Sequence, residues 1–193
     1  MVACSTGGQA PIAGKTPAPI TPETSPLPLV IPPPTVPFVR CNTEDLDIQL
    51  VRVGVGLGNV GGVIEVRNRS SHDCDLYGYA AIQLLDARQH PVATKLVQGT
   101  SSYVFGVDLV EEVVGLPAGT VAINPDRPIP GHAYIPVSWN EVQEPCIGAA
   151  LFNVTPPSAR DSLVIPTGSG DGVMTFCSGG QVIVNPTRAA FYQ

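Results

Sequence analysis

Along much of this chain apolar and polar residues alternate with a period of two. Leu46, Ile48 and Leu50 alternate with Asp47 and Gln49, and further on Val60, Gly62, Ile64 and Val66 face away from Glu65 and Arg67. Side chains of a strand point to its two faces in turn, so each run predicts a strand with one face in a core and one in solvent. Between His132 and Trp139 the residues Ala133, Ile135, Val137 and Trp139 form one apolar face, and Pro136 points to an edge strand or a bulge. Runs at 80–85, 92–98, 102–107, 150–154 and 181–184 are further strand candidates. Stretches of turn composition separate them at 69–73, 86–91 and 115–119. No helical period is sustained. Many short strands between turns predict an all-β fold, an antiparallel immunoglobulin-like β-sandwich. The Cys…Trp…Cys spacing of true immunoglobulin domains is absent, since Trp139 precedes both Cys146 and Cys177, so the likeness is one of architecture.

The front of the chain has no such period. Residues 11–37 hold ten of the 21 prolines, with Pro32, Pro33 and Pro34 in a row. Proline fixes φ and removes a backbone donor, which predicts an extended polyproline II spacer reaching on the order of 80 Å. A ligand for a proline-binding module is the weaker reading, because such modules are mostly intracellular. Ahead of the spacer, Val2-Ala3-Cys4 resembles the last three positions of a bacterial lipobox, with Met1 where Leu is usual, and polar STGGQ follows. Cys4 is therefore the expected lipid-attachment residue, through which acyl chains would hold the protein on a membrane. The expected organisation is an anchor at 1–10, a proline-rich linker at 11–37 and a β-sandwich domain at 38–193.

Composition narrows the class. Hydrophobic residues make up 44% and charged residues 13%, which is too apolar for a disordered chain. No stretch reaches the ~20 apolar residues of a spanning helix. With two lysines, Lys15 and Lys95, and a net charge of −6, there is no basic stripe to displace counterions, so no nucleic-acid partner is expected. Cys4 stands apart from the other four cysteines, Cys41, Cys74, Cys146 and Cys177, which admit three disulfide pairings. The two nearest in sequence, Cys41–Cys74 and Cys146–Cys177, would close loops of about 30 residues, worth ~3–4 kcal/mol each in the chain-entropy model. Four buried thiols would be the alternative in a reducing compartment.

Candidate chemistry is sparse. Gly56-Leu57-Gly58-Asn59-Val60-Gly61 matches G-x-G-x-x-G, but the β-branched, alternating residues that follow do not open the helix a dinucleotide site needs. A loop between antiparallel strands is the better reading. There is no G-x-S-x-G, and Gly168–Gly172 reads as a turn. His72, His90 and His132 sit apart, and His72-Asp73-Cys74-Asp75 offers metal-capable side chains of which Cys74 is expected in a disulfide. Neither metal nor cofactor is therefore expected. Two carboxylates can cleave a glycoside, and Glu111 with Glu112, or Asp73 with Asp75, are the pairs to weigh. Adjacent strand residues face opposite sides, and acidic loop residues are ordinarily solvated, so no catalytic residue is expected.

Ordered features over residues 41–186 resemble a family of bacterial exported domains, common in lipoproteins and described only as a domain of unknown function. They are Cys41; Gly61 with the strand Val63–Ser71; Cys74, Leu76, Gly78 and Tyr79; Leu84-Leu85-Asp86; Pro130-Gly131 and Trp139; Cys146; Val154–Pro157; and Cys177 before Val184–Pro186. The chain departs from that pattern at Ala80, where a proline is usual after Gly-Tyr. The resemblance implies a disulfide-bonded β-sandwich exported across a membrane, and no activity. The expected function is that of a non-enzymatic, lipid-anchored surface module that binds a protein or an envelope polymer, with an accessory subunit of an envelope assembly among the roles expected of it. An envelope carbohydrate-binding or hydrolytic domain is the alternative.

Overall fold

The structure, a computed structural model, describes residues 37–99, 110–119, 131–168 and 172–189. All lie in the unit Pro37–Gln193. The expected anchor at Cys4, the proline-rich tether, the strand expected at 102–107 and the centre of the Gly168–Gly172 loop fall outside the described residues.

The alternating runs form strands. β1 (Leu46–Gly56) and β2 (Asn59–Asn68) pair as an antiparallel hairpin closed by Leu57 and Gly58, with φ of 50° and 78°. Positive φ at both central residues is the type I′ turn, whose twist matches that of the flanking strands. The G-x-G-x-x-G stretch is this hairpin. β2 also pairs with β7 (His132–Asn140), and β7 with β12 (Gln181–Val184), both antiparallel. β5 (Lys95–Gln98) completes the sheet along β12 in parallel register, giving the order β1-β2-β7-β12-β5.

Three smaller antiparallel sheets account for the other strands. β9 (Leu151–Thr155) lies between β4 (Ala81–Leu85) and β10 (Leu163–Pro166). β3 (Cys74–Tyr77) pairs with β6 (Val113–Leu116), and β8 (Ile147–Ala149) with β11 (Met174–Phe176). Helical structure among the described residues is limited to a 3-10 turn at Thr43–Asp45 and one turn at Cys177–Gly180.

One core unites these sheets. The inward residues of the large sheet (Val60, Ile64, Val66, Ala133, Ile135, Val137, Trp139, Val182) cluster with Leu76, Leu84, Val114, Phe152, Ile165 and Phe176 from the small ones. Trp139 meets Phe152 edge-on at 6.1 Å and Phe176 at 5.1 Å, and the two phenylalanines meet at 5.6 Å. Each ring comes from a different sheet, so the trio ties three sheets together where large aromatic area is removed from water. Two disulfides add covalent ties: Cys41 to Cys74 on β3, and Cys146 to Cys177, which closes the Ile147–Phe176 end of the β8–β11 ribbon. This is the sequence-local one of the three pairings.

Three expectations need correction. Pro136 does not mark an edge or a bulge, for β7 lies between β2 and β12. The carbonyl of Pro136 accepts from the Asn185 N–H (2.9 Å), beyond Val184 where β12 ends. A residue's N–H and C=O point to the same side of a strand, so the missing donor faces that end and leaves the β2 ladder untouched. Nor is β2 half-exposed: from Val60 to Asn68 every residue is buried, Glu65 and Arg67 included. The expected turn at 115–119 is also shorter than anticipated, because Gly115 and Leu116 belong to β6.

Candidate functional site

Burial on both faces puts charged residues where a core residue would be expected, and strand register decides which of them meet. Asp47, Arg67 and His132 stand in one cross-strand row of the face opposite the core, with Gln49, Glu65 and Tyr134 in the next. Glu65 is the hub. His132 Nδ1–H donates to Glu65 Oε1 at 2.6 Å, and Gln49 Nε2 donates to Glu65 Oε2. An imidazole nitrogen facing a carboxylate must carry the proton, which fixes the tautomer. Arg67 reaches Asp47 at 3.2 Å and lies 4.0 Å from Glu65. A carboxylate and imidazole in this geometry form half of a nucleophile–base–acid relay. The other half would be a hydroxyl or thiol on Nε2, and that atom is buried without a hydrogen-bond partner. The cluster braces three strands.

Further along the same face the lining changes from charge to carboxamide. Asn59 and Asn140 are cross-strand partners, and Asn140 Nδ2 donates to Asn59 Oδ1 at 3.1 Å. The Asn140 oxygen meanwhile accepts from the N–H groups of Val142 (2.9 Å) and Gln143 (2.6 Å), holding the loop after β7 against the sheet. Ser178 Oγ donates to Gln143 Oε1 at 3.1 Å, joining that loop to the turn at Cys177. The result is a cleft of about 590 Å³ with strand residues Ser138, Gln181 and Ile183 below and the loop above. It falls within the ~300–1,000 Å³ of small-molecule sites, and its polar lining suits a polar ligand. A second cleft, of about 570 Å³, lies beside Cys41 between Asn42 and the Ser158–Leu163 segment.

The residues singled out from sequence fare differently. Asp75 Oδ2 accepts from the Val39 N–H at 2.8 Å, and Asp73 Oδ1 from the Ala118 N–H at 2.8 Å, so both carboxylates pin backbone segments. Glu112 meets Arg188 at 3.5 Å, whereas Glu111 lies beside Tyr77, whose hydroxyl its charge holds above the usual phenol range. Each of these four carboxylates has a partner outside its own pair. His72 and His90 are exposed, 3.8 Å from Asp45 and 3.4 Å from Asp86 respectively. No group of three metal-ligating side chains occurs among the described residues. No helix among them is long and apolar enough to cross a membrane. Sequence reasoning missed the Glu65–His132 contact, which spans 67 positions and needs the β2–β7 pairing to be known. It missed the cleft too, since its residues are single polar side chains from five segments, with no shared spacing.

The fold and its covalent ties define a disulfide-bonded, all-β domain. Residues 41–188 match the model of a domain of unknown function, DUF4232, and the chain belongs to that family. Comparison with curated proteins and with solved structures found no match.

Proposed function

We propose that the protein is an exported, non-enzymatic binding module, a β-sandwich of immunoglobulin-like architecture tethered to a membrane through an acylated Cys4 and the proline-rich segment 11–37. The observation that carries this reading is the pair of disulfides, Cys41–Cys74 and Cys146–Cys177. Such bonds form and persist in oxidising compartments outside the cytoplasm and are rare within it. The passive role is supported by the acidic residues themselves, whose carboxylates are engaged in holding backbone and strands. A net charge of −6 with scattered arginines favours a protein or envelope-polymer partner over nucleic acid.

The test is made on protein from intact cells. Metabolic labelling with an alkyne fatty acid should mark the chain, and the label should vanish in Cys4→Ala. Alkylation before reduction should leave Cys41, Cys74, Cys146 and Cys177 unmodified. An unlabelled chain with four reactive body thiols would overturn the proposal.

A further inference from the structure

In the cleft beside the loop after β7, several unspent hydrogen-bonding groups converge. The Asn59–Asn140 bond occupies the oxygen of Asn59 and leaves its NH₂ group unpaired among the described residues. Ser178 takes the oxygen of Gln143 and likewise leaves that NH₂ group. Lys95 and Gln181 face each other across the parallel β5–β12 pair, and neither has a hydrogen-bond or ionic partner among the described residues. Ser138 adds a hydroxyl that is buried and unsatisfied, a condition that ordinarily costs ~1–3 kcal/mol. It lies on the cleft floor.

The NH₂ groups of Asn59 and Gln143 can donate to sugar hydroxyl oxygens, and the carboxamide of Gln181 offers donor and acceptor together, the combination that a pair of neighbouring sugar hydroxyls meets bidentately. The lining holds one cation, Lys95, and one anion, Glu144, which gives no net pull on a multiply charged ligand such as a phosphate. Ile183 and Pro145 supply apolar surface for the C–H face of a pyranose ring. From these groups we infer that the cleft is a saccharide site, taking a neutral pyranoside by adjacent hydroxyls against Asn59, Gln143 and Gln181 with Lys95 at the rim. The inference rests on reading the domain as a binding module and names the ligand class of that module.

The experiment is a titration of the ¹⁵N-labelled full chain with maltose, cellobiose, diacetylchitobiose and α-1,6-mannobiose, each taken to about 20 mM, the range in which single-site sugar binding of millimolar strength is seen. At least one disaccharide should shift the side-chain amide signals of Asn59, Gln143 or Gln181. Lys95→Ala at the cleft rim and Gln181→Ala on its half-buried floor should each keep the melting temperature and weaken that titration about 3–10-fold, as expected for loss of one hydrogen bond. If no disaccharide shifts those signals, or if the shifts survive both substitutions unchanged, the saccharide site is wrong. Shifts confined to another surface would remove the cleft while leaving a binding module, whereas loss of the Cys4 label concerns export and leaves the titration standing.

Discussion

Leu57 is the residue whose placement the fold explains least. It occupies the first position of the β1–β2 turn at φ 50° and is fully exposed (100%). A Cβ in the left-handed region crowds the following carbonyl, and an exposed leucine recovers nothing by burial. Leu57→Gly should therefore stabilise the domain by about 0.5–1 kcal/mol, read as a higher midpoint in urea unfolding, while Leu57→Ala, which keeps the Cβ, should gain nothing. Glu65 is the opposite case, buried at 5% exposure with both carboxylate oxygens engaged. Glu65→Ala would leave the His132 N–H and the Gln49 amide facing nothing and Arg67 poorly balanced, at a cost of about 3–5 kcal/mol. Glu65→Gln keeps one acceptor and should lose roughly 1–3 kcal/mol by the same denaturation assay. From sequence both residues read as ordinary, Leu57 as part of a glycine-rich link and Glu65 as a solvent-facing strand residue. Neither the turn type nor the second buried face is legible until the strand partners are known.

At the scale of elements, legibility follows length. β7 was readable because four apolar residues at alternate positions make a pattern that chance rarely supplies. β8 and β11 have three residues each and β10 has four, too short for a period to register. Pro136 misdirects because proline excludes only one hydrogen-bonding side, and here that side faces the end of a neighbour. The Asp86–His90 turn after β4 was legible from composition, and its chemistry is testable. The His90 N–H, aided by the Arg88 N–H and the His90 side chain, holds the Asp86 carboxyl below its ordinary range. A depressed value in the folded state means stability that is present above the ordinary carboxylate range and is lost as pH falls through the folded-state value. Asp86→Asn should therefore flatten the acid limb of the stability profile and leave the neutral region nearly parallel to that of the parent, as followed by unfolding midpoints across the acid range.

For the molecule as a whole, covalent ties and core act together. The cysteines of the two bonds are 33 and 31 positions apart, so each bond removes about 3–4 kcal/mol of unfolded-chain freedom in the entropic model. Replacing Cys146 and Cys177 together by alanine should lower the unfolding free energy by about that amount and loosen the turn that leads into β12, with a reduced urea midpoint as the readout. The all-β class was readable from alternation and turns alone. The division into one large and three small sheets was not, because it depends on which strands pair, and pairing is a long-range choice.

The position of β12 has a consequence for how the protein comes into being. It lies between β7 and β5, yet it is the last strand of the described chain to be synthesised. Until it emerges, β7 keeps an open flank and β5 lacks any neighbour in its sheet, so the growing polypeptide carries two unsealed borders. A nascent chain in that condition is slow to lock into shape. One that stops short of Gln181 should gather into aggregates instead of folding.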